Sequence, residues 1–151
     1  MATVNPEQHL RSIFLFSGLD EAALQSLAEA MTVKEYLPDD HILTEGHDGY
    51  HGGMGVVLHG SLSVIHAEHD VIGHLADGDV FGEMSLIDDE PRSATLVADE
   101  QTEVALLSRG DFRSQIRQNP DIALRLMKIL SGRLREAHVA TSGRLDESAG
   151  T

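Results

Sequence analysis

The residue types best suited to chemistry are concentrated in FGEMSLIDDEPRSATLVA, from Phe81 to Ala98. Gly82 and Glu83 open the stretch, and Arg92, Ser93 and Ala94 follow after a short acidic loop. Arg92 is the only Lys or Arg between Lys34 and Arg109. EMSLI reads as a short helical turn directly after the strand DVF. Its free N–H groups lie at the positive end of the helix dipole and suit an anion. Gly82 lets a phosphate approach the backbone closely. Pro91 fixes a turn, and Arg92 after it offers a planar fork for two phosphate oxygens, with a hydroxyl from Ser93. Glu83 would repel phosphate, but a carboxylate accepts hydrogen bonds from a ribose hydroxyl. Together these residues describe a pocket for a ribose and one phosphate held close together. The plainer alternatives are a surface ion pair of Arg92 with Asp88, Asp89 or Glu90, and a simple bulge at Gly82.

The elements that must position this stretch are legible from period and punctuation. Pro6 suits the first turn of a short helix through Phe14. Asp20 is the expected N-cap of a second helix, with Leu24, Leu27, Ala28 and Met31 at i, i+3, i+4 and i+7. From about Thr32 short apolar runs (HILT, GMGVVLHG, SLSVIH, VIGHLA, SATLVA, EVALLS) alternate with Gly, Asp and Pro. Their spacing is that of a sandwich or barrel. His59-Gly60 and Asp77-Gly78 mark turns. From Ser108 the helical period returns in RGDFRSQIRQN, which stops before Pro120. A longer helix then runs to Ala140. The expected fold is mainly β with flanking helices: N-terminal helices over 1–31, a β-roll or jelly-roll of about eight strands over 32–108, and two C-terminal helices over 109–140. These make one domain, 1–140, and 141–151 reads as a disordered tail.

Composition narrows the partners. The chain has 151 residues, 25 acidic against 11 basic, and a formal charge of −14. Eight of the 11 basic residues lie from Arg109 onward, so an acidic roll is set against a basic helical end. That balance argues against nucleic acid and against an anionic membrane surface, both of which attract clustered Lys and Arg. There is no cysteine, which fits a reducing compartment. With no apolar segment near 18 residues and no N-terminal signal pattern, the expected location is cytoplasmic.

The motif GDVFGEMSLIDDEPRSATLVA closely resembles the phosphate-binding cassette of cyclic nucleotide-binding domains, F-G-E-(L/M)-(A/S)-L, a loop, then P-R-(A/S/T)-A. LDEAALQSLAEAM, GVVLHGSLSV and NPDIALRLMKILSGRLREA are similar to that family's first helices, early strands and C-terminal helix. The resemblance implies a non-catalytic receptor for cyclic AMP, with cyclic GMP the alternative ligand, and neither cofactor nor metal. It implies that Glu83 holds the ribose 2′-hydroxyl. Arg92 and Ser93 would bind the cyclic phosphate, with Gly82, Met84, Ser85 and Ala94 around it. Val64, Ile72 and Gly73 would line the base, and Ala137 and His138 stand where the C-terminal helix contacts it. The sequence departs from the pattern in three places. The loop GHDGYHGGMGVVLHG is longer by about two residues, Gly55 replaces an aromatic residue, and Ala137 and His138 are not the usual base-capping polar residues. The chain also ends soon after the last helix, so a sensor without an attached effector is expected.

Two further features bear on rival readings. His47/His51 and His66/His69 have ligand-like spacing but fall in a Gly-rich loop and a hairpin, so a cupin-like metal-dependent enzyme is the alternative from catalysis. A degenerate nucleotide-binding fold acting as a scaffold is the alternative from interaction. The last helix carries two apolar stripes, one of Ile122, Leu126 and Ile129 and one of Ala123, Met127, Leu130, Leu134 and Ala137. One should pack on the roll. The other has heptad-like spacing and suits a homodimer or a separate effector protein, with Arg133 and Arg135 adding positive charge beside it.

Overall fold

The computed structural model describes residues 6–43, 53–67, 70–82 and 94–149. Helix α1 (Pro6–Ser12) comes first, then a 3-10 turn (Phe14–Phe16) and helix α2 (Glu21–Ala30). The strands follow: β1 (Thr32–Tyr36), β2 (His41–Leu43), β3 (Met54–His59), β4 (Ser61–His66), β5 (Asp70–Ala76), β6 (Val80–Phe81), β7 (Thr95–Ala98) and β8 (Thr102–Leu107). Helices α3 (Arg109–Gln118) and α4 (Asp121–Ala149) end the chain. All strand pairings are antiparallel, in two four-stranded sheets ordered β1-β8-β3-β6 and β2-β7-β4-β5. This is the expected mainly-β roll with helices at both ends.

Two apolar clusters divide the core, and the period of the strands decides which residue joins which. Val57, Phe81 and Val104 face the inside of the roll with Leu62, Leu96 and Ala98 from the other sheet. Their neighbours Val56, Val80 and Ala105 face the opposite way and join Leu10, Phe16, Leu24, Leu27, Phe112, Ile122 and Leu126 of the helical layer. Successive side chains in a strand point to opposite faces, so β3 is buried on both. That explains why its sequence, MGVVL, is a continuous apolar run rather than an alternation.

The helices begin where their caps dictate. The Asp20 carboxylate accepts from the Ala23 N–H at 2.8 Å, and the Ser108 hydroxyl accepts from the Asp111 N–H at 3.1 Å. Helix α1 ends sooner than expected. The Ser12 hydroxyl donates to the His9 carbonyl at 2.8 Å, Ile13 is extended, and Phe14 enters the 3-10 turn instead. Helix α4 differs in the other direction. It passes Ala140 and runs on to Ala149, so the stretch 141–149 is helical and not a disordered tail. Arg144, Leu145, Glu147 and Ala149 are strong helix formers, no proline interrupts them, and Gly143 alone costs only about 1 kcal/mol relative to Ala.

The two stripes of α4 separate cleanly at several positions. Ile122 and Leu126 are buried, and Ile129 packs against the same cluster, whereas Leu124, Met127 and Leu134 are 60%, 56% and 72% exposed. Leu130 is the exception to the expected stripe, because it packs against the helical-layer cluster. Replacing Ile122 with Ala should therefore lower stability by about 2–5 kcal/mol. Leu134→Ala should stay within about 0.5 kcal/mol. Chemical denaturation of the two variants checks this; equal losses would mean that the outward stripe is also buried.

Candidate functional site

The two described residues that bracket the chemical stretch are Gly82 and Ala94. Glu83, Met84, Ser85, Arg92 and Ser93 lie outside the described residues, as do His47, His51 and His69. The frame that delivers the stretch is fully described. It leaves from β6 at the edge of one sheet and returns as β7, which lies between β2 and β4 in the other. The cassette therefore joins the two sheets of the roll.

Strand β6 has two residues and, among the described residues, pairs only with β3, Gly55 opposite Phe81 and Val56 opposite Val80. Its approach is held by backbone and carboxylate contacts around the Asp77-Gly78 turn. The Gly60 N–H donates to Asp77 Oδ1 at 2.8 Å, and the Ala76 N–H donates to Asp79 Oδ2 at 2.9 Å. The Gly78 N–H donates to the Val57 carbonyl at 2.7 Å, and the Val57 N–H donates to the Asp79 carbonyl at 2.9 Å. After Phe81 the backbone turns at Gly82 with φ of 74°. That left-handed conformation costs an L-residue with a side chain, so glycine is needed here for the turn itself.

Gly55, where the family commonly has an aromatic residue, has a clear partner. A methyl group built at Gly55 would overlap the Phe81 ring and press on Leu106. The space in front of Gly55 on β3 is thus occupied by the ring of the residue just before Gly82.

Across the roll, register brings the expected base-lining residues together. Val64 of β4 is paired with Gly73 of β5 and with Leu96 of β7. Val64 is half-buried against the interior cluster, and no described atom lies within 4 Å of the point where a Gly73 side chain would begin. Ala94 stands two residues before the inward-facing Leu96 and leads into the same strand. Ile72 differs from its neighbours. The register steps from Val64 opposite Gly73 to Ile65 opposite Val71, leaving Ile72 as the extra residue of a β-bulge, 63% exposed. Ala137 and His138 fall within α4.

One residue at the site was misplaced by sequence reasoning. Arg133 does not add charge to the outward stripe of α4. It is half-buried and its Nη2 donates to the Val80 carbonyl at 2.8 Å, on the strand that launches the cassette. The signal was available in the spacing, since Ile122, Leu126, Ile129 and Arg133 fall at i, i+4, i+7 and i+11 on one helical face.

Two other polar groups invite a catalytic reading and do not support one. Ser63, His74 and Asp99 meet on the second sheet, with Ser63 Oγ donating to Asp99 Oδ1 at 2.6 Å and His74 Nδ1 3.4 Å from the same hydroxyl. A nucleophilic serine gives its proton to the imidazole, and the carboxylate orients that imidazole from the far side. Here the hydroxyl is spent on the carboxylate. Among the described residues no three His, Asp or Glu side chains are placed to share a metal ion. Tyr36, on β1, has its phenol pKa raised by burial and then by the nearby Asp40 carboxylate, so it stays neutral at physiological pH.

Comparison with known proteins decides the family. The model of the cyclic nucleotide-binding domain matches residues 33–119. The chain belongs to the cyclic nucleotide-binding domain family. Among curated relatives, the cAMP-dependent protein kinase regulatory subunit of Candida albicans is 34% identical over 107 residues, covering 71% of this chain and 23% of that protein. The cyclic AMP receptor protein of Thermus thermophilus is 49% identical over 63 residues, covering 42% of this chain and 29% of that protein. The domain therefore spans about a quarter of the length of these relatives. Among solved structures, the Thermus thermophilus catabolite activator protein superposes with a TM-score of 0.75 at 31% identity, over 85% of this chain and 61% of the other. A cyclic nucleotide-binding domain from Methylobacillus flagellatus gives a TM-score of 0.72 at 29% identity, over 87% and 77%.

The Gly55–Phe81 pairing makes a test of how this cyclic nucleotide-binding domain aims its cassette. Gly55→Ala should force the Phe81 ring out of place and cost about 1–3 kcal/mol, the range for overpacking a core. Thermal unfolding measures the loss. Gly55→Ala combined with Phe81→Leu should recover much of it, and a double variant no more stable than Gly55→Ala would show that the ring is not what the methyl group meets.

Proposed function

We propose that this cyclic nucleotide-binding domain is a non-catalytic receptor whose ligand is cyclic AMP, with cyclic GMP as the alternative. The observation that carries the proposal is the intact cassette sequence between β6 and β7, Gly82-Glu83-Met84-Ser85 and Pro91-Arg92-Ser93-Ala94, on a frame that joins the two sheets. Glu83 accepts from the ribose 2′-hydroxyl. Arg92 and Ser93 hold the cyclic phosphate, with backbone N–H groups near Gly82, Met84 and Ala94. Val64 and Gly73 line the base, and Ile72, Ala137 and His138 stand at its open side. No cofactor or metal takes part. Serine at position 93 suits cyclic AMP at least as well as cyclic GMP. The curated relatives include proteins named for cyclic AMP and, over 91% of this chain, proteins named for cyclic GMP, so both ligands belong in the test.

Ligand titration by calorimetry tests this directly. Wild type should bind cyclic AMP. Arg92→Leu should lose about 2–5 kcal/mol, the cost of removing one partner of a buried charge-assisted pair. That is roughly a 30-fold to several-thousand-fold loss of affinity. Glu83→Gln should bind less tightly than wild type and should no longer discriminate against 2′-deoxy cyclic AMP. Unchanged cyclic AMP binding in a folded Arg92→Leu variant would remove the receptor assignment and leave the scaffold reading.

The bound state is read out, in this proposal, through the C-terminal helices. Phosphate capture draws the cassette inward, and α3 and α4 respond, because a ligand shifts a conformational equilibrium by its differential affinity for the two states. The exposed apolar face of Leu124, Met127 and Leu134 on α4 is the surface offered to a second subunit or an effector protein. Because Leu130 packs inward, Met127 and Leu134 are the residues to change. Met127→Asp with Leu134→Asp should abolish self-association or partner capture while cyclic AMP affinity stays within about threefold, as expected for surface substitutions remote from the ligand. Sedimentation velocity with and without cyclic AMP measures the first, and titration the second. An assembly state that survives both charges would exclude this face.

A further inference from the structure

The contact between Arg133 and Val80 has a consequence for the site itself. Val80 is buried and belongs to an edge strand, so among the described strands its carbonyl has no second strand to bond. The Arg133 guanidinium, from the thirteenth residue of a helix that begins at Asp121, supplies a donor at 2.8 Å. The strand it holds is two residues long and ends one residue before Gly82. Around this bond packing is thin. A cleft of about 150 Å³ lies between Phe14 and Leu15 of the 3-10 turn, Asp79 and Val80 of β6 and its turn, and Ile129 and Arg133 of α4. Where side chains do not fill the space, the hydrogen bond carries a larger share of the joint.

The same helix has a second anchor that serves as an internal comparison. Arg125 Nη1 donates to the Phe14 carbonyl at 3.0 Å and to Ser17 Oγ at 2.7 Å, and its guanidinium stacks 5.2 Å from the Phe14 ring centre. Arg125 thus fastens α4 to the N-terminal turn, while Arg133 fastens it to the strand that leads into the cassette. The two anchors are alike in chemistry and differ in what they hold.

We infer that Arg133 is a positioning residue for the ligand site, fixing the exit of β6 so that the cassette and the terminal helix change state together. It touches no ligand in this account, and the inference rests on the receptor reading given above. Moving α4 away from the roll breaks the bond to Val80, and releasing the end of β6 frees α4. The coupling is reciprocal, as any linkage between a binding site and a conformational change must be.

Four proteins test it: wild type, Arg133→Met, Arg133→Lys and Arg125→Met, each titrated with cyclic AMP and followed by amide hydrogen exchange. Arg133→Met should weaken cyclic AMP by roughly tenfold, inside the about 5- to 150-fold span of typical coupling between sites. It should also uncouple α4, so that nucleotide no longer alters exchange in that helix. Arg133→Lys keeps a donor and should retain most of the affinity. Arg125→Met should loosen the helix against Phe14 yet bind cyclic AMP as wild type does. Wild-type affinity in Arg133→Met, or an equal loss in Arg125→Met, overturns the inference, because either would reduce Arg133 to a general helix anchor. If wild type itself binds neither cyclic AMP nor cyclic GMP, the receptor reading fails, and ligand-free exchange decides the matter. Faster exchange at Phe81 and Gly82 in Arg133→Met but not in Arg125→Met supports the positioning role. Unchanged exchange there overturns it.

Discussion

Strand β6 is two residues long, and the direction in which the chain leaves it determines where the cassette can stand. A strand that short cannot fix itself, since its ladder to β3 has only two rungs. Three independent restraints make up the difference. Phe81 lays its ring into the space that Gly55 leaves on β3, Asp79 closes the preceding turn with both its backbone and its carboxylate, and Arg133 bonds the outer carbonyl. Each comes from a different part of the chain. Val80 and Phe81 also split between the two cores, one facing the helices and the other the inside of the roll. A change in either core is therefore felt at the same short strand.

That arrangement bears on how the proposed receptor would respond to a ligand without losing its fold. The interior of the roll and the helical layer are separate apolar clusters divided by the sheet β1-β8-β3-β6. Close-packed clusters resist gradual deformation, so adjustment is confined to where packing is thinner. The cleft beside Arg133 is such a place, and hydrogen bonds from Arg125 and Arg133 span the joint there. Breaking a hydrogen bond that can be re-formed with water costs about 0.5–1.5 kcal/mol. Opening a core would cost several times more. Ile122 and Leu126 bury the first turns of α4 in the core, so in the proposed response any shift of the helix would fall on its later turns.

Much of this was legible in the sequence, and the failures have physical causes. The strand spacing, the Asp20 cap, the stop before Pro120 and the family follow from turn residues, period and a specific cassette, all local properties of the chain. The space in front of Gly55 is filled by the Phe81 ring, which is distant in sequence, and only register makes the two neighbours. Helical period places Arg133 beside Ile122, Leu126 and Ile129, although its charge suggests an outward position. Leu130 belongs to the heptad-like stripe by spacing, yet it stands close to Leu126 on the helix surface and packs inward with it. Ser142 and Gly143 suggest a tail, whereas helix formers follow them and α4 continues to Ala149. Of the proposed ligand contacts, Gly82, Ala94, Val64 and Gly73 stand on described elements; Glu83, Arg92 and Ser93 fall outside the described residues.

The charge of the chain places one further constraint on how a cyclic nucleotide would be held. With 25 acidic residues against 11 basic, the protein repels an anionic ligand at long range. Screening limits that repulsion to about 8 Å at physiological ionic strength, so it acts mainly on encounter and little on a seated ligand. Affinity must then come from contacts made within hydrogen-bond distance. Backbone N–H groups at a helix start suit this task, since they present partial positive charge without a mobile counter-charge nearby. A single arginine suffices beside them because its fork engages two oxygens at once. A cluster of cations would gain more long-range attraction but would also draw any polyanion. In the proposed receptor, one arginine in a stretch otherwise rich in carboxylates would favour a small phosphate ester over a polyanion. The scarcity of positive charge around Arg92 would then be a source of selectivity.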